Sequence, residues 1–458
     1  MPAPMAALQA VTQVSKPRNT LRVLRTSLYG VSGLVLLLFL TCVAGAYVHR
    51  RALDRIGTES APTIIAAQKI RTALAGMDAS AANELFASNQ AESEAAGREY
   101  EQSRLDAAQA LIDAARHISY DGKERDPLEN IQMQIGSYEA LIQRARDLHD
   151  QKDPRAADVY AQAASIVDND LLPAGDELDK VNFRHLDETY ARQGGYSIGS
   201  RLLVLLFGIA LLGALLWLQS FITNRTRRIL NLPLIAATLI ALAFTLWALT
   251  VFGTEEHQLK TARQDAFTSI RALWKARAAA YSAAAGESRF LLHSSKLPGA
   301  ADNFQRNINS LILLPSGVTM DDIARDGLNE NTGATGYLAD EIHNITFPRE
   351  RESAVEMTAK FAQYLAIDGE MRRLEAAGKH ADAVALQLGS QEGQAKYRVA
   401  LFDDALGRTL AVNQRAFDGA VDTGFNALSH FEAKTAVAAV LIVLLVFAGL
   451  APRIAEYR

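Results

Sequence analysis

Four long apolar stretches interrupt an otherwise polar chain. They cover residues 27–48, 202–222, 229–252 and 436–451. Each of the first three contains about 20 residues or more, which at 1.5 Å per residue is enough to cross roughly 30 Å of hydrocarbon. The fourth reaches this length with its neighbours Thr435 and Pro452. The pattern therefore predicts an integral membrane protein with four transmembrane helices.

The first stretch has a rival interpretation as a cleaved signal peptide. A cleavable signal has a shorter apolar core of about 7–15 residues followed by a small-residue cleavage site. Cys42 suggests a lipoprotein site, but Thr41 precedes it and the apolar run continues beyond it. We therefore expect an uncleaved membrane span.

Basic residues mark one side of the predicted membrane. They lie in an arm (residues 1–26), a tight turn (223–228) and a tail (452–458), as Lys16, Arg18, Arg22, Arg25, Arg225, Arg227, Arg228, Arg453 and Arg458. Lys and Arg accumulate on the cytoplasmic side of membrane proteins. The rule predicts a multi-pass plasma-membrane protein with both termini cytoplasmic, although His49, Arg50 and Arg51 oppose it locally.

The two polar segments, residues 49–201 and 253–435, are then extracytoplasmic, and both have the composition of helices. Small and apolar residues recur every three or four positions between Ile56 and Ala81. This spacing predicts a helix with one narrow buried stripe. Pro127 and Pro154 each follow an aspartate, as first-turn prolines do behind an N-cap. We expect helices at 50–89, 91–117, 127–150 and 154–195, which form an up-down four-helix bundle.

The second polar segment repeats features of the first. Gly-Thr-Glu at 57–59 recurs at 253–255, and Ile-Arg at 70–71 recurs at 270–271. Further matches keep one offset and pair Glu124, Arg125, Tyr138, Arg146 and Leu148 with Glu350, Arg351, Tyr364, Arg372 and Leu374. These matches predict a duplication that gives a second bundle. The second copy has additional, glycine-bearing residues at Leu314–Asn344, which we expect to form a loop.

Composition and motifs argue against catalysis. The formal charge of −4 gives no field for nucleic acid, and the chain contains no phosphate-binding loop or zinc-helix signature. Two acidic stretches, 176–188 and 255–257, are interpreted as solvent-exposed faces rather than metal sites. The four spans contain no Asp, Glu, Lys, Arg or His, which argues against an ion-coupled transporter. We expect no enzyme activity, no cofactor and no bound metal.

Residues 57–86 resemble the first helix of the four-helix-bundle sensory domains of bacterial chemoreceptors and sensor kinases. The doubled plan with four spans is similar to an actinobacterial membrane protein encoded beside a glutamine-binding lipoprotein and a soluble serine/threonine kinase. This resemblance implies that an amino-acid-loaded solute-binding protein docks outside and that a kinase responds inside. The chain lacks the chemoreceptor coiled coil, and Lys69 and Arg71 do not match the arginine set of the amino-acid receptors.

These expectations combine into a membrane sensor that relays a nutrient signal to a separate cytoplasmic effector. Arg225, Arg227 and Arg228 are candidate docking residues for that effector, or only fix the topology and touch anionic lipid. Gly194 and Gly195 form a candidate hinge or a helix stop. One alternative is a membrane scaffold or accessory transporter subunit, with small residues such as Ala237 and Ala241 packed on partner helices. Another is a receptor that binds a small molecule directly between its helices; homodimerisation stays open.

Overall fold

The computed structural model describes residues 17–87, 89–116, 122–226, 231–293 and 300–456, and almost all of them are helical. The helices are α1 (Pro17–Asp54), α2 (Ala61–Phe86), α3 (Gln90–Arg116), α4 (Arg125–Asp150), α5 (Ala156–Ile166), α6 (Leu172–Thr226), α7 (Leu232–Lys260), α8 (Phe267–His293), α9 (Ala300–Leu311), α10 (Met320–Asp326), α11 (Tyr337–His343), α12 (Glu350–Ala376), α13 (His380–Leu388), α14 (Ala395–Ala427) and α15 (Phe431–Glu456). The predicted all-α class is confirmed.

The chain divides into two compact units. The first, here called the span unit, consists of Met1–Arg51, Arg192–Glu256 and Phe425–Arg458. The second, here called the polar unit, consists of Ala52–Ala191 and His257–Gly424. Both polar segments therefore belong to one compact unit.

Among the described residues, four helices are long and apolar enough to cross a membrane, and their apolar stretches lie in the span unit. Each buries one stripe of small and apolar side chains and exposes the rest, as helices in lipid do. Ala237 and Ala241 of α7 are fully buried, while Leu239 between them is 60% exposed. Gly208 of α6 lies against Thr245 of α7, where a larger side chain would collide.

Each polar segment has its own apolar core within the polar unit. The first core joins α2, α3, α4 and α5 with the start of α6, and contains the buried rings of Tyr138 and Tyr160. The second joins α8 to α12 with α14, and contains Phe361, Tyr364 and Phe402. A short π-helical turn precedes each core helix that follows an apolar stretch, at Arg55–Ser60 before α2 and at Thr261–Ala266 before α8.

Helices α2 and α8 pack directly on each other and join the two segments. Small side chains allow the close approach, since Ala75, Ala79, Ala278 and Ala285 are buried without belonging to either core.

A buried ion pair crosses this contact. Arg289 of α8 donates to Asp78 of α2 and, at 2.6 Å, to Asp168. The Tyr160 hydroxyl donates to Asp78 at 3.0 Å. Burial raises the pKa of Asp78, and the Arg289 charge opposes that rise. Because the Asp78 and Arg289 side chains are only 1% and 5% exposed, each depends on the other for its charge to be tolerated.

In the acidic stretch 176–188, Glu177, Asp187 and Glu188 are exposed as the sequence suggested, but Asp179 is not. Asp179 of α6 is 1% exposed and accepts from Arg271 Nε at 3.1 Å, with Lys275 at 3.3 Å. Burial alone would raise the pKa of Asp179, but Arg271 and Lys275 outweigh it and lower that pKa. Arg71 likewise pairs with Asp176 at 3.1 Å. These acids join α6 to the helices of both segments.

Two other local predictions are corrected. Residues Leu314–Asn344 contain α10 and α11 rather than a plain loop, and Ile323, Leu338 and Ile342 enter the second core. The predicted N-cap aspartates also differ, because α4 begins at Arg125, before Asp126, and α5 begins at Ala156, beyond Pro154.

Two carboxyl groups are buried in the polar unit, those of Glu341 in α11 and Glu350 at the start of α12. Glu350 accepts backbone N–H groups of Thr346 and Phe347 at 2.7 and 2.8 Å, while Glu341 accepts from Asn413 at 3.0 Å. The remaining oxygens, Glu341 Oε2 and Glu350 Oε1, have no hydrogen-bond partner in the described part of the chain. Burial and the Glu350 charge raise the pKa of Glu341 to about 8, so at neutral pH this carboxyl is protonated and can donate to Glu350.

Replacement of Arg289 by methionine should destabilise the protein strongly. Removal of one partner leaves Asp78 as an uncompensated buried charge, which costs about 3–5 kcal/mol. Arg104→Met is the matched control, because its ion pair with Glu101 is about half exposed and is worth less than about 1 kcal/mol. The measurement is thermal unfolding of the full-length protein. Equal midpoints for the two variants would contradict the assignment of the buried pair.

Replacement of Glu341 by glutamine should flatten the dependence of stability on pH. The folded state holds a proton that the unfolded glutamate, with its pKa of 4.5, releases. The stabilisation is therefore complete below pH 4.5 and is lost as pH rises through about 8, with a slope of up to about 1.4 kcal/mol per pH unit. Thermal midpoints measured from pH 5 to 9 test this, with the exposed Glu129→Gln as control. An unchanged profile in Glu341→Gln would refute it.

Candidate functional site

The structure places the predicted site residues only in part. Arg225 lies in the last turn of α6, and Arg227 and Arg228 lie outside the described residues. Gly194 and Gly195 lie inside α6, which continues through them without interruption, so they do not stop the helix. Nothing lies within 4 Å of the position that a Cβ atom would occupy at either glycine. The hinge role of these glycines stays a prediction.

A groove runs between the two segments of the polar unit. Its central part, of about 410 Å³, is lined from α2, α3, α8 and α14 by Lys69, Thr72, Ala73, Ser103, Asp106, Gln109, Ala110, Asp113, Trp274, Arg277, Tyr281 and Asp403. Two adjoining clefts, of about 440 and 540 Å³, share several of these residues and extend it in both directions. We call this feature the inter-segment groove.

Helical periodicity explains why these side chains share one groove. On α2 the lining residues are spaced by three and four positions, from Lys69 through Thr72 to Gly76, and on α8 they are Trp274, Arg277 and Tyr281. Residues at these spacings lie on one face of a helix. At Gly76 a Cβ atom would lie 2.9 Å from Ser103 Oγ, so glycine is what allows α2 and α3 to approach here.

One end of the central groove is cationic and aromatic. The exposed Lys69 ammonium lies 5.8 Å from the Trp274 ring centroid, and the Arg277 guanidinium lies 5.4 Å from it. Arg277 donates through Nε and Nη2 to Asp403 at 2.6 Å each. Within the described ranges, no carboxylate pairs with Lys69 and nothing accepts from Arg277 Nη1. In the described part of the chain Lys69 therefore has no ion-pair partner, although Asp113 also lines the groove.

The opposite wall carries an uncompensated negative charge. Asp106 of α3 accepts from the Gln102 amide at 2.9 Å, and in the part of the chain that is described no cation pairs with it. Burial, together with the Asp403 charge, raises the pKa of Tyr281 to about 12, so its hydroxyl remains a donor at neutral pH. Further along, Lys396 of α14 bridges to Glu99 of α3 at 3.1 Å.

A second polar cluster lies in the span unit. His49 of α1 contacts the Glu255 carboxylate through Nδ1 and lies 3.0 Å from Ser200 Oγ through Nε2, and its ring stacks on Phe252 at 4.8 Å. Since the Ser200 hydroxyl donates to the Ser197 carbonyl at 2.9 Å, Nε2–H is the donor to Ser200. The His49 and Glu255 side chains are both fully buried, so the expectation of a wet face at 255–257 was wrong for Glu255.

Sequence reasoning missed buried pairs whose members lie far apart in the chain. The partners Asp78 and Arg289 are 211 positions apart, and His49 and Glu255 are 206 apart. Lys69 was noted only as an insufficient match to a receptor motif. The available signal was the spacing of Lys69, Thr72 and Gly76 on one helix and of Trp274, Arg277 and Tyr281 on another.

Comparison with known proteins gives one match, which covers part of the chain. Residues 52–191 fit the sequence profile of a family described as an actinobacterial sensor domain. No curated protein and no solved structure matches the chain. The matched residues coincide with the first segment of the polar unit, Ala52–Ala191. They include α2, α3 and the α6 acids that pair with α8, and they indicate a sensing role for this segment.

Proposed function

We propose that the chain is a non-enzymatic transmembrane sensor that relays an extracytoplasmic nutrient signal to a separate cytoplasmic effector. The observation that carries the proposal is the sensor-domain match over residues 52–191. Those residues are packed with the second segment in one compact unit. A conformational change in one segment therefore acts on the other.

The helices offer a route for relay. α6 and α7 each contain residues of both units, and α6 continues from Leu172 to Thr226 without a break. A ligand shifts an equilibrium between two conformations only through its different affinity for them. In this proposal the conformations differ in the arrangement of α6 and α7, and their predicted cytoplasmic turn at 223–228 presents the difference to the effector.

The identity of the signal and of the effector rests on resemblance. The doubled plan with four spans resembles the membrane protein encoded with a glutamine-binding lipoprotein and a serine/threonine kinase. We therefore propose an amino-acid signal, delivered by an extracytoplasmic solute-binding protein, and a cytoplasmic serine/threonine kinase as effector. Arg225, Arg227 and Arg228 are the proposed docking residues for that kinase.

The alternative of a membrane scaffold loses its main supporting observation. It relied on Ala237 and Ala241 as contact positions for partner helices, yet both are fully buried within the span unit itself. Direct binding of a small molecule between helices, the other alternative, is favoured by the inter-segment groove and is developed below.

Cysteine labelling should reveal the proposed topology. The natural Cys42 is the chain's single cysteine and is buried, which gives a low background. The exposed positions Ala91 and Ala381, replaced one at a time by cysteine, should react with a membrane-impermeant maleimide in intact cells. Cysteines at Asn224 and Ala455 should react only after the cells are opened. The reverse pattern would contradict an extracytoplasmic polar unit.

Neutralisation of the three arginines should uncouple the effector. A triple variant with Arg225, Arg227 and Arg228 changed to glutamine should abolish the change in protein threonine phosphorylation that follows amino-acid addition to cells. A triple lysine variant keeps the charge and should retain the response. The maleimide pattern checks that topology is preserved. If the glutamine variant keeps the correct topology and a normal response, the docking role is wrong.

A further inference from the structure

The inter-segment groove has the charges of a ligand site rather than of a filled interface. Some charged groups that are buried between helices of the polar unit are paired, as Asp78 with Arg289 and Asp179 with Arg271 show, whereas Lys69 and Asp106 are exposed to the groove. In the groove Lys69 and Asp106 face the same cavity without ion-pair partners in the described part of the chain. One cation and one anion therefore remain available to a molecule that enters.

We propose that the inter-segment groove binds a small zwitterion, whose carboxylate is held by Lys69 and Arg277 Nη1 and whose ammonium is held by Asp106. The proposal deepens the sensor function, on which it rests for the ligand's role as a signal, by naming a ligand class and a site for direct binding.

Geometry provides the carboxylate end of the site. The charged groups of Lys69 and Arg277 both lie within 6 Å of one ring, that of Trp274. Asp403 neutralises Arg277 and fixes its guanidinium through Nε and Nη2, so Nη1 is oriented without a further loss of side-chain freedom. Hydrogen bonds between ionised groups are shorter and stronger than neutral ones. A carboxylate placed beside Trp274 would accept from both cations.

Asp106, on the wall of the groove opposite Lys69, disfavours ligands that carry two charges of the same sign. A dianion would bring one of its carboxylates toward Asp106, and a diamine would bring one ammonium toward Lys69. A zwitterion can meet both Lys69 and Asp106 with an opposite charge. The central volume of about 410 Å³ lies in the range of small-molecule sites, roughly 300–1,000 Å³. The Trp274 and Tyr281 rings supply an apolar surface for the remaining atoms.

The position of the groove links binding to signalling. Lys69 and Asp106 belong to the first segment, and Trp274 and Arg277 to the second. A ligand held by all of them is sensitive to any displacement of α2 and α3 relative to α8 and α14. It therefore binds the two arrangements with different affinity, which is the requirement for shifting their populations.

The test uses the full-length protein in detergent, with binding measured by calorimetry and by thermal shift. The probes are single α-amino acids at millimolar concentration, with succinate as a dianion and putrescine as a diamine. We expect at least one amino acid to bind and to raise the unfolding temperature, and neither control to do so. Absence of binding by every amino acid, or equal binding of succinate or putrescine, would overturn the proposal.

Two variants with matched controls locate the site. Lys69→Met and Asp106→Asn should each weaken amino-acid binding about tenfold or more, because each removes a charge-assisted contact. Lys180→Met makes the same charge change at an exposed residue of α6. Asp147→Asn breaks an equivalent contact on α4, since Asp147 accepts from Gln143 four positions earlier, as Asp106 does from Gln102. Equal losses in the controls would place the ligand elsewhere.

The outcome is separable from the proposed relay. If free amino acids bind through Lys69 and Asp106 but threonine phosphorylation in cells does not respond to the chain, the groove proposal stands and the relay is wrong. If phosphorylation responds but no free amino acid binds the purified protein, the relay stands. The groove proposal then fails in favour of a signal received through a binding protein.

Discussion

The contact between α2 and α8 is the constraint on which the polar unit depends. Its small side chains allow the backbones to approach, and its buried charges fix which residues meet. Asp78 must pair with Arg289, and Asp179 must pair with Arg271, because a buried charge without a partner costs several kcal/mol. Asp78 lies on α2 and Asp179 on α6, so a slip of α8 by one helical turn, about 5.4 Å, would break both pairs at once. The buried charges therefore specify the register in which the helices pack, whereas the alanines only allow the helices to come close to each other.

The groove is a consequence of the same contact. Short side chains on α2 and α8 fill the space where these helices meet, and the longer Lys69, Trp274 and Arg277 project beyond it. They enclose a space whose further walls come from α3 and α14. The site thus needs both segments, and neither could form it alone. A duplication would explain how two similar segments came to share a site, and it stays a prediction.

Local structure was predictable because its causes are local. The sequence placed helices at 91–117 and 127–150, and the structure has Gln90–Arg116 and Arg125–Asp150. The candidate spans followed from length and hydropathy in the same way. Partner choice was not predictable, because an aspartate in solvent and one buried against an arginine look alike in sequence. Asp179 and Arg271 are 92 positions apart, and no periodicity connects them. The groove was missed for this reason, since its four helices become neighbours only in the folded chain.

Helix continuity distinguishes the routes along which a displacement can travel. An unbroken helix moves as one body because each residue is hydrogen-bonded four positions back. α6 and α7 are unbroken through residues of both units, whereas α14 and α15 are separated by a turn in which His430 has a positive φ of 54°. A shift of α14 is thus absorbed in part at this turn. A shift of α6 or α7 reaches the ends of these helices, where Arg225 lies in the last turn of α6 and Arg227 and Arg228 follow in the sequence. Helix continuity therefore favours α6 and α7 over α14 and α15 as the route of a relay.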